Sequence, residues 1–133
     1  MQFLYKHIIF IFLFFTLTIY GQVPQDKIKA KLEIEKMEDN IKITATAENL
    51  TEVIRSATYR MSVIRTNDKT NNQSKSDQDG IFTLQPNEFK KLSTSQINLA
   101  EGDQIILLLL FYDEDKQIIA KDRVVLGEEK KKN

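Results

Sequence analysis

Residues 27–48 read "KIKAKLEIEKMEDNIKITATAE". Ile28, Ala30, Leu32 and Ile34 alternate with Lys29, Lys31, Glu33 and Glu35, and beyond a polar turn at 38–40 Ile41, Ile43, Ala45 and Ala47 alternate with Lys42, Thr44, Thr46 and Glu48. A period of two with one apolar side belongs to a strand that buries one face. Two such runs across a short polar turn predict a hairpin.

Working outward, "NLTEV" leads to a third alternating run, with Ala57, Tyr59, Met61 and Val63 on one face and Thr58, Arg60, Ser62 and Ile64 on the other. Asn49 to Thr51 matches a glycosylation sequon and is read as a loop. Residues 66–80, "TNDKTNNQSKSDQDG", hold no apolar side chain, and Phe82 and Leu84 restore the apolar face after Gly80. That polar stretch fits either a mobile hairpin tip or a polar strand. In the second case the chain turns near 68–71 and 72–78 run back beside 59–65.

Residues 92–99 read as another strand, and Gly102 in "AEGD" supplies a turn that needs positive φ. The run "IILLLLFY" (105–112) suits a central strand buried on both faces or nearly so. The last strand, 117–126, places Ile118, Ala120, Val124 and Leu126 on one face, and Asp122 interrupts it, which predicts a position nearer an edge. Residues 113–116 form the turn between these two strands. About seven strands without a helical stretch predict an all-β, immunoglobulin-like antiparallel β-sandwich.

The start of the chain has a different character. Lys6 precedes an apolar run at 8–15, and small or polar residues close the segment near Gly21 and Gln22. This is the order of a signal peptide. The run is shorter than the roughly 20 residues a spanning helix needs, so no stable membrane insertion is expected after its removal. The expected organisation is a signal peptide at 1–21, a short leader at 22–27, a β-sandwich domain at 28–126 and a charged tail at 127–133, working outside the cytoplasm.

Without residues 1–21 the chain carries 18 basic and 19 acidic side chains, a balance that argues against nucleic acid as the partner. His7, the single His, lies in that segment, and the sequence has no Cys or Trp. A histidine triad, a thiol nucleophile and a typical zinc site are therefore not expected. Five aromatic residues remain, Tyr59, Phe82, Phe89, Phe111 and Tyr112, few for a sugar-binding platform. Asp113 and Asp115 read as solvated turn residues, because paired catalytic carboxylates flank a cleft. "SDQDG" fails as an EF-hand loop: with Gly80 at the loop glycine, Lys75 takes the first ligand position and Pro86 the bidentate one. No enzymatic activity, cofactor or metal is expected.

The ordered set "ATYRMSVIRTN", a polar stretch ending "SDQDGIFTL", and "KKLSTSQINLAEGDQIILLLLFYDEDKQIIAKD" resembles the CsgH family of curli-assembly proteins, related in role to CsgC. The resemblance rests on Tyr59 with Met61 and Val63, the Gln/Ser-rich approach to Gly80, Leu92 to Thr94, Asn98, Gly102 with Asp103, and the terminal hairpin. It implies a periplasmic β-sandwich inhibitor that keeps curli-type subunits from forming amyloid too early; separately, a monomer working in the periplasm or outside the cell is expected. CsgC-type proteins carry a Cys-X-Cys pair that this chain lacks, so inhibition here would be noncovalent. The candidate contact surface is Arg60, Ser62 and Ile64 with Lys69, Gln73 and Lys75. Two other readings fit an exported β-sandwich: an adhesion or structural module, and a small-ligand or carbohydrate-binding module.

Overall fold

A computed structural model describes residues 27–127; the expected signal peptide, most of the leader and the end of the tail lie outside the described residues. Seven strands follow one another: β1 (Ile28–Lys36), β2 (Ile41–Asn49), β3 (Arg55–Asn67), β4 (Asn72–Leu84), β5 (Phe89–Ile97), β6 (Asp103–Tyr112) and β7 (Ile118–Gly127). They form a three-stranded sheet ordered β1-β2-β5 and a four-stranded sheet ordered β4-β3-β6-β7, with every pairing antiparallel. This is the all-β sandwich expected from the alternation, with β1 and β2 as the predicted hairpin.

The two sheets bury their facing rows. Ile28, Leu32, Ile41, Ile43, Ala45 and Ala47 from the smaller sheet meet Ala57, Met61, Phe82, Leu84, Ile105, Leu107, Leu109 and Phe111 from the larger. Phe82 and Phe111 form the aromatic centre, with ring centroids 4.9 Å apart and tilted, a favourable ring geometry.

Three details differ from the sequence reading. First, β6 is fully covered on one face only: Ile105, Leu107, Leu109 and Phe111 are buried, whereas Ile106, Leu108, Leu110 and Tyr112 are half-buried on the outer face. The second sheet covers one side of β6, and an unbroken apolar run does not reveal that. Second, a register shift at Phe111/Tyr112 pairs Tyr112 with Ile118, leaving Ile118 54% exposed while Ile119 packs on the core. A β-bulge of this kind carries one extra residue and changes which side chain faces inward. Third, Asn49 ends β2 and is completely buried, so the sequon match marks a structural clamp. Its Nδ2 donates to the carbonyls of Val53 (2.8 Å), Gln85 (3.0 Å) and Leu84 (3.4 Å), and its Oδ1 accepts from Thr51 N and Oγ1.

Asp122 does face inward, as the interrupted apolar row implied, and it sits on the edge strand β7. Its Oδ2 accepts a 2.8 Å hydrogen bond from the backbone N–H of Leu32 in β1. The carboxylate thus satisfies a donor on the free edge of the other sheet, where an unpaired N–H would invite a foreign strand.

Candidate partner-binding edge

The polar stretch is a strand. Asn67 builds the turn before it: its Oδ1 accepts from Lys69 N and Thr70 N, its carbonyl accepts from Asn71 N, and Asn71 takes φ 62°. Asn tolerates this left-handed conformation and forms such side-chain turns readily. From Asn72 the chain runs back along β3 in unbroken register, Asn67 opposite Asn72 through Arg55 opposite Leu84. Of the two alternatives left open by composition, the polar strand is the one found.

Direct cross-strand partners share a face. Arg60 stands opposite Asp79, Ser62 opposite Asp77, Ile64 opposite Lys75 and Thr66 opposite Gln73. Five of the six candidate residues, Arg60, Ser62, Ile64, Gln73 and Lys75, therefore share the outer face of the larger sheet. Lys69 stands apart in the turn, with its ammonium 3.2 Å from Glu101 across the β5–β6 turn.

Within that row the residues differ in freedom. Arg60 Nε donates to Asp79 Oδ1 at 2.8 Å, and the bonded carboxylate raises the guanidinium pKa above its ordinary value, first through the hydrogen bond and then through charge. Ser62 is buried, and its hydroxyl donates to Asp77 Oδ1 at 2.6 Å. These two pairs lock β4 in register. Gln73 and Lys75 are exposed.

β4 changes character at Gly80. Every residue from Asn72 to Asp79 is exposed, whereas Phe82 and Leu84 are buried. Gly80 lies opposite Tyr59, and a Cβ added there would stand 2.6 Å from the Tyr59 ring. The ring therefore covers the glycine where the strand leaves the core, and any side chain at this position would have to push the ring aside. The other end of the sheet is held by a polar cap. Asp103 is buried, accepting from Asn67 Nδ2 (2.7 Å) and Ala100 N (2.8 Å), with Arg65 Nε 3.8 Å away. The hydrogen bond from Asn67 leads in holding the Asp103 carboxyl below its usual range, followed by the one from Ala100.

The sequence reading missed part of the outer face. Ile106, Leu108 and Leu110 of β6 lie beside Ile64, Ser62 and Arg60, and Val125, Arg123 and Lys121 of β7 continue the rows. At one end Thr58 lies between Tyr112 and Ile81, the latter 80% exposed, and with Arg60, Asp79 and Lys116 they line a shallow groove of ≈ 510 Å³. The signal was present in the parity of β6, once that strand is known to pair with β3.

No family model matches the sequence, and no curated protein matches it. Among solved structures, the curli protein CsgC of E. coli superposes with a TM-score of 0.58 at 12% identity, over 72% of this chain and 96% of that one. CsgH of R. palustris superposes with a TM-score of 0.53 at 10% identity, over 71% of this chain and 89% of that one. A glycosyl hydrolase family 2 member from Bacteroides cellulosilyticus gives 0.56 at 10% identity, but this chain covers 16% of it, so the likeness is to one segment of a larger enzyme. At such identities the likeness concerns the fold alone. CsgC and CsgH, the proteins the sequence resemblance pointed to, are thus structural neighbours of this chain, matched over nearly their whole length.

Proposed function

We propose that this protein is a periplasmic, chaperone-like inhibitor that prevents premature amyloid formation by curli-type fibre subunits through transient noncovalent contacts, without catalysis. The observation that carries the reading is the exposed edge strand β4, polar over Asn72–Asp79, on a sandwich whose fold neighbours include two curli proteins. Amyloid grows by adding strands to an exposed edge, with Asn and Gln ladders contributing. A folded edge of similar chemistry can pair with an incipient nucleus, and charge on that edge discourages further stacking.

The test is amyloid-dye fluorescence of a purified curli-type subunit with and without the protein. A lengthened lag phase is expected, and an unchanged lag would sink the reading. Lys75→Glu should recover part of the lost speed, because Lys75 is exposed and opposite Ile64, whereas Arg60 is tied to Asp79. Raised salt should weaken the charge-dependent part.

A further inference from the structure

The two faces of exposed β4 carry different chemistry. Register with β3 puts Asn72, Ser74, Ser76 and Gln78 on the inner side, opposite Asn67, Arg65, Val63 and Met61, and puts Gln73, Lys75, Asp77 and Asp79 on the outer side. The inner row is neutral throughout, all hydroxyl and carboxamide. The outer row is charged at three of its four positions.

The neighbouring strand continues the neutral chemistry. Ser93 and Ser95 of β5 pair with Ala45 and Ile43, two fully buried residues, and so share their inward face. Gln78 Nε2 donates to Ser95 Oγ at 2.9 Å across the gap between the sheets, and Ser93 Oγ is buried without a hydrogen-bond partner. The middle of the β4/β5 flank is thus lined by the neutral Ser74, Ser76, Gln78, Ser93 and Ser95, with a cation at each end, where Arg65 donates to the Asn98 carbonyl (2.7 Å) and Lys90 to the Thr83 carbonyl (2.9 Å); among the described residues β4 has β3 as its one hydrogen-bonded neighbour.

We infer that the free edge of β4 receives one extended strand whose inward side chains are neutral amides and hydroxyls, while the outer row of Lys75, Asp77 and Asp79 prevents a second sheet from packing over it. This deepens the proposed function and rests on it for the client's identity. A fibril needs both steps: strand addition along an edge, and a dry face mated to another sheet. Like side chains on the inner row permit the first. A mating sheet would have to bury Lys75 and Asp77 as ions together with the Arg60–Asp79 ion pair, which is costly. The β4 edge would therefore bind an amyloid-forming strand and leave it in a form that cannot complete a zipper.

Two variants separate the rows. Ser74→Glu with Ser76→Glu charges the receiving row at exposed positions and should abolish the lengthened lag. Lys75→Gln with Asp77→Asn neutralises most of the outer row and keeps an acceptor for Ser62; it should shorten the lag below that of the subunit alone and enter the fibres. A direct readout uses hydrogen exchange of the full protein with a soluble synthetic peptide of alternating Val with Asn, Gln and Ser. Amides of 72–79 should exchange about tenfold more slowly on binding, and the Ser74→Glu/Ser76→Glu protein should lose that protection. Protection of 72–79 without any effect on a curli-type subunit would keep the inference and overturn the proposed client. A lengthened lag that survives Ser74→Glu/Ser76→Glu, or peptide protection elsewhere than 72–79, would overturn the inference and leave the chaperone reading standing.

Discussion

The two flanks of the sandwich meet solvent in opposite ways. On one, the edge strands β1 and β7 approach each other and the Asp122 carboxylate takes the Leu32 N–H, so an edge donor is satisfied from the other sheet. On the other, β4 and β5 diverge: the side-chain bond from Gln78 to Ser95 spans them midway, and β4 is exposed on both faces from Asn72 to Asp79. A fold of this size has four strand edges to manage, and unpaired edges are sites of unwanted association. Here one pair is closed by a half-buried acceptor, and the β4 edge is left open but made polar. The contrast is that of a flank built for stability and one left accessible.

The largest effect should come from the residue that pins the buried end of the open flank. Asn49 joins β2 to the carbonyls at the end of β4, Leu84 and Gln85, and to Val53. Asn49→Ala removes the buried donation to Leu84 and the part-buried ones to Gln85 and Val53, of which Val53 keeps the Thr51 hydroxyl, and opens a cavity at a fully buried position, so about 2–3 kcal/mol should be lost in chemical denaturation. A loss below about 1 kcal/mol, within the ordinary range for lesser contacts, would mean that β4 is anchored by its apolar residues alone.

Next in size is the closure of the opposite flank. Asp122→Ala strips the acceptor from Leu32 N–H, and a fall of about 1–2 kcal/mol is expected, together with concentration-dependent association through β1. Asp122→Asn keeps an oxygen at the same place and should retain most of the stability. If the Ala protein remains as stable and as monodisperse in light scattering as the parent, the two flanks do not differ as described.

These features were not equally legible in the sequence. β1, β2 and β3 are each apolar at one parity and mostly polar at the other, so their alternation revealed both strand and orientation; β6 is apolar at both parities, and only the order β4-β3-β6-β7 over three facing strands shows which row is uncovered. Asp122 was visible as a break in an apolar row, but its partner lies 90 residues away in sequence and leaves no local trace. Asn49 was read as part of a loop, and nothing in the local sequence shows that it ends β2 and makes contacts that reach both sheets. At the edge, period two placed Arg60, Ser62 and Ile64 together, and a turn at 68–71 brought Gln73 and Lys75 beside them. That Arg60 and Ser62 are engaged by Asp79 and Asp77 depends on register to the residue, which composition does not carry.

The smallest stability effect is also the sharpest probe of the open flank. Gln78→Ala removes the solvent-exposed hydrogen bond from an exposed side chain to the half-buried Ser95, so the global cost should stay within about 0.5 kcal/mol, as for surface substitutions away from buried networks. The consequence should instead be local. With that strut gone, 72–79 are held by β3 alone, and their amides should exchange several-fold faster while those of β6, at the centre of the larger sheet, keep their protection. A global loss matching that of Asp122→Ala would make the Gln78–Ser95 bond a closure equivalent to Asp122 and Leu32. An unchanged exchange pattern would mean that the Arg60–Asp79 and Ser62–Asp77 pairs already hold the edge flat, ready to receive a strand without first being ordered by it.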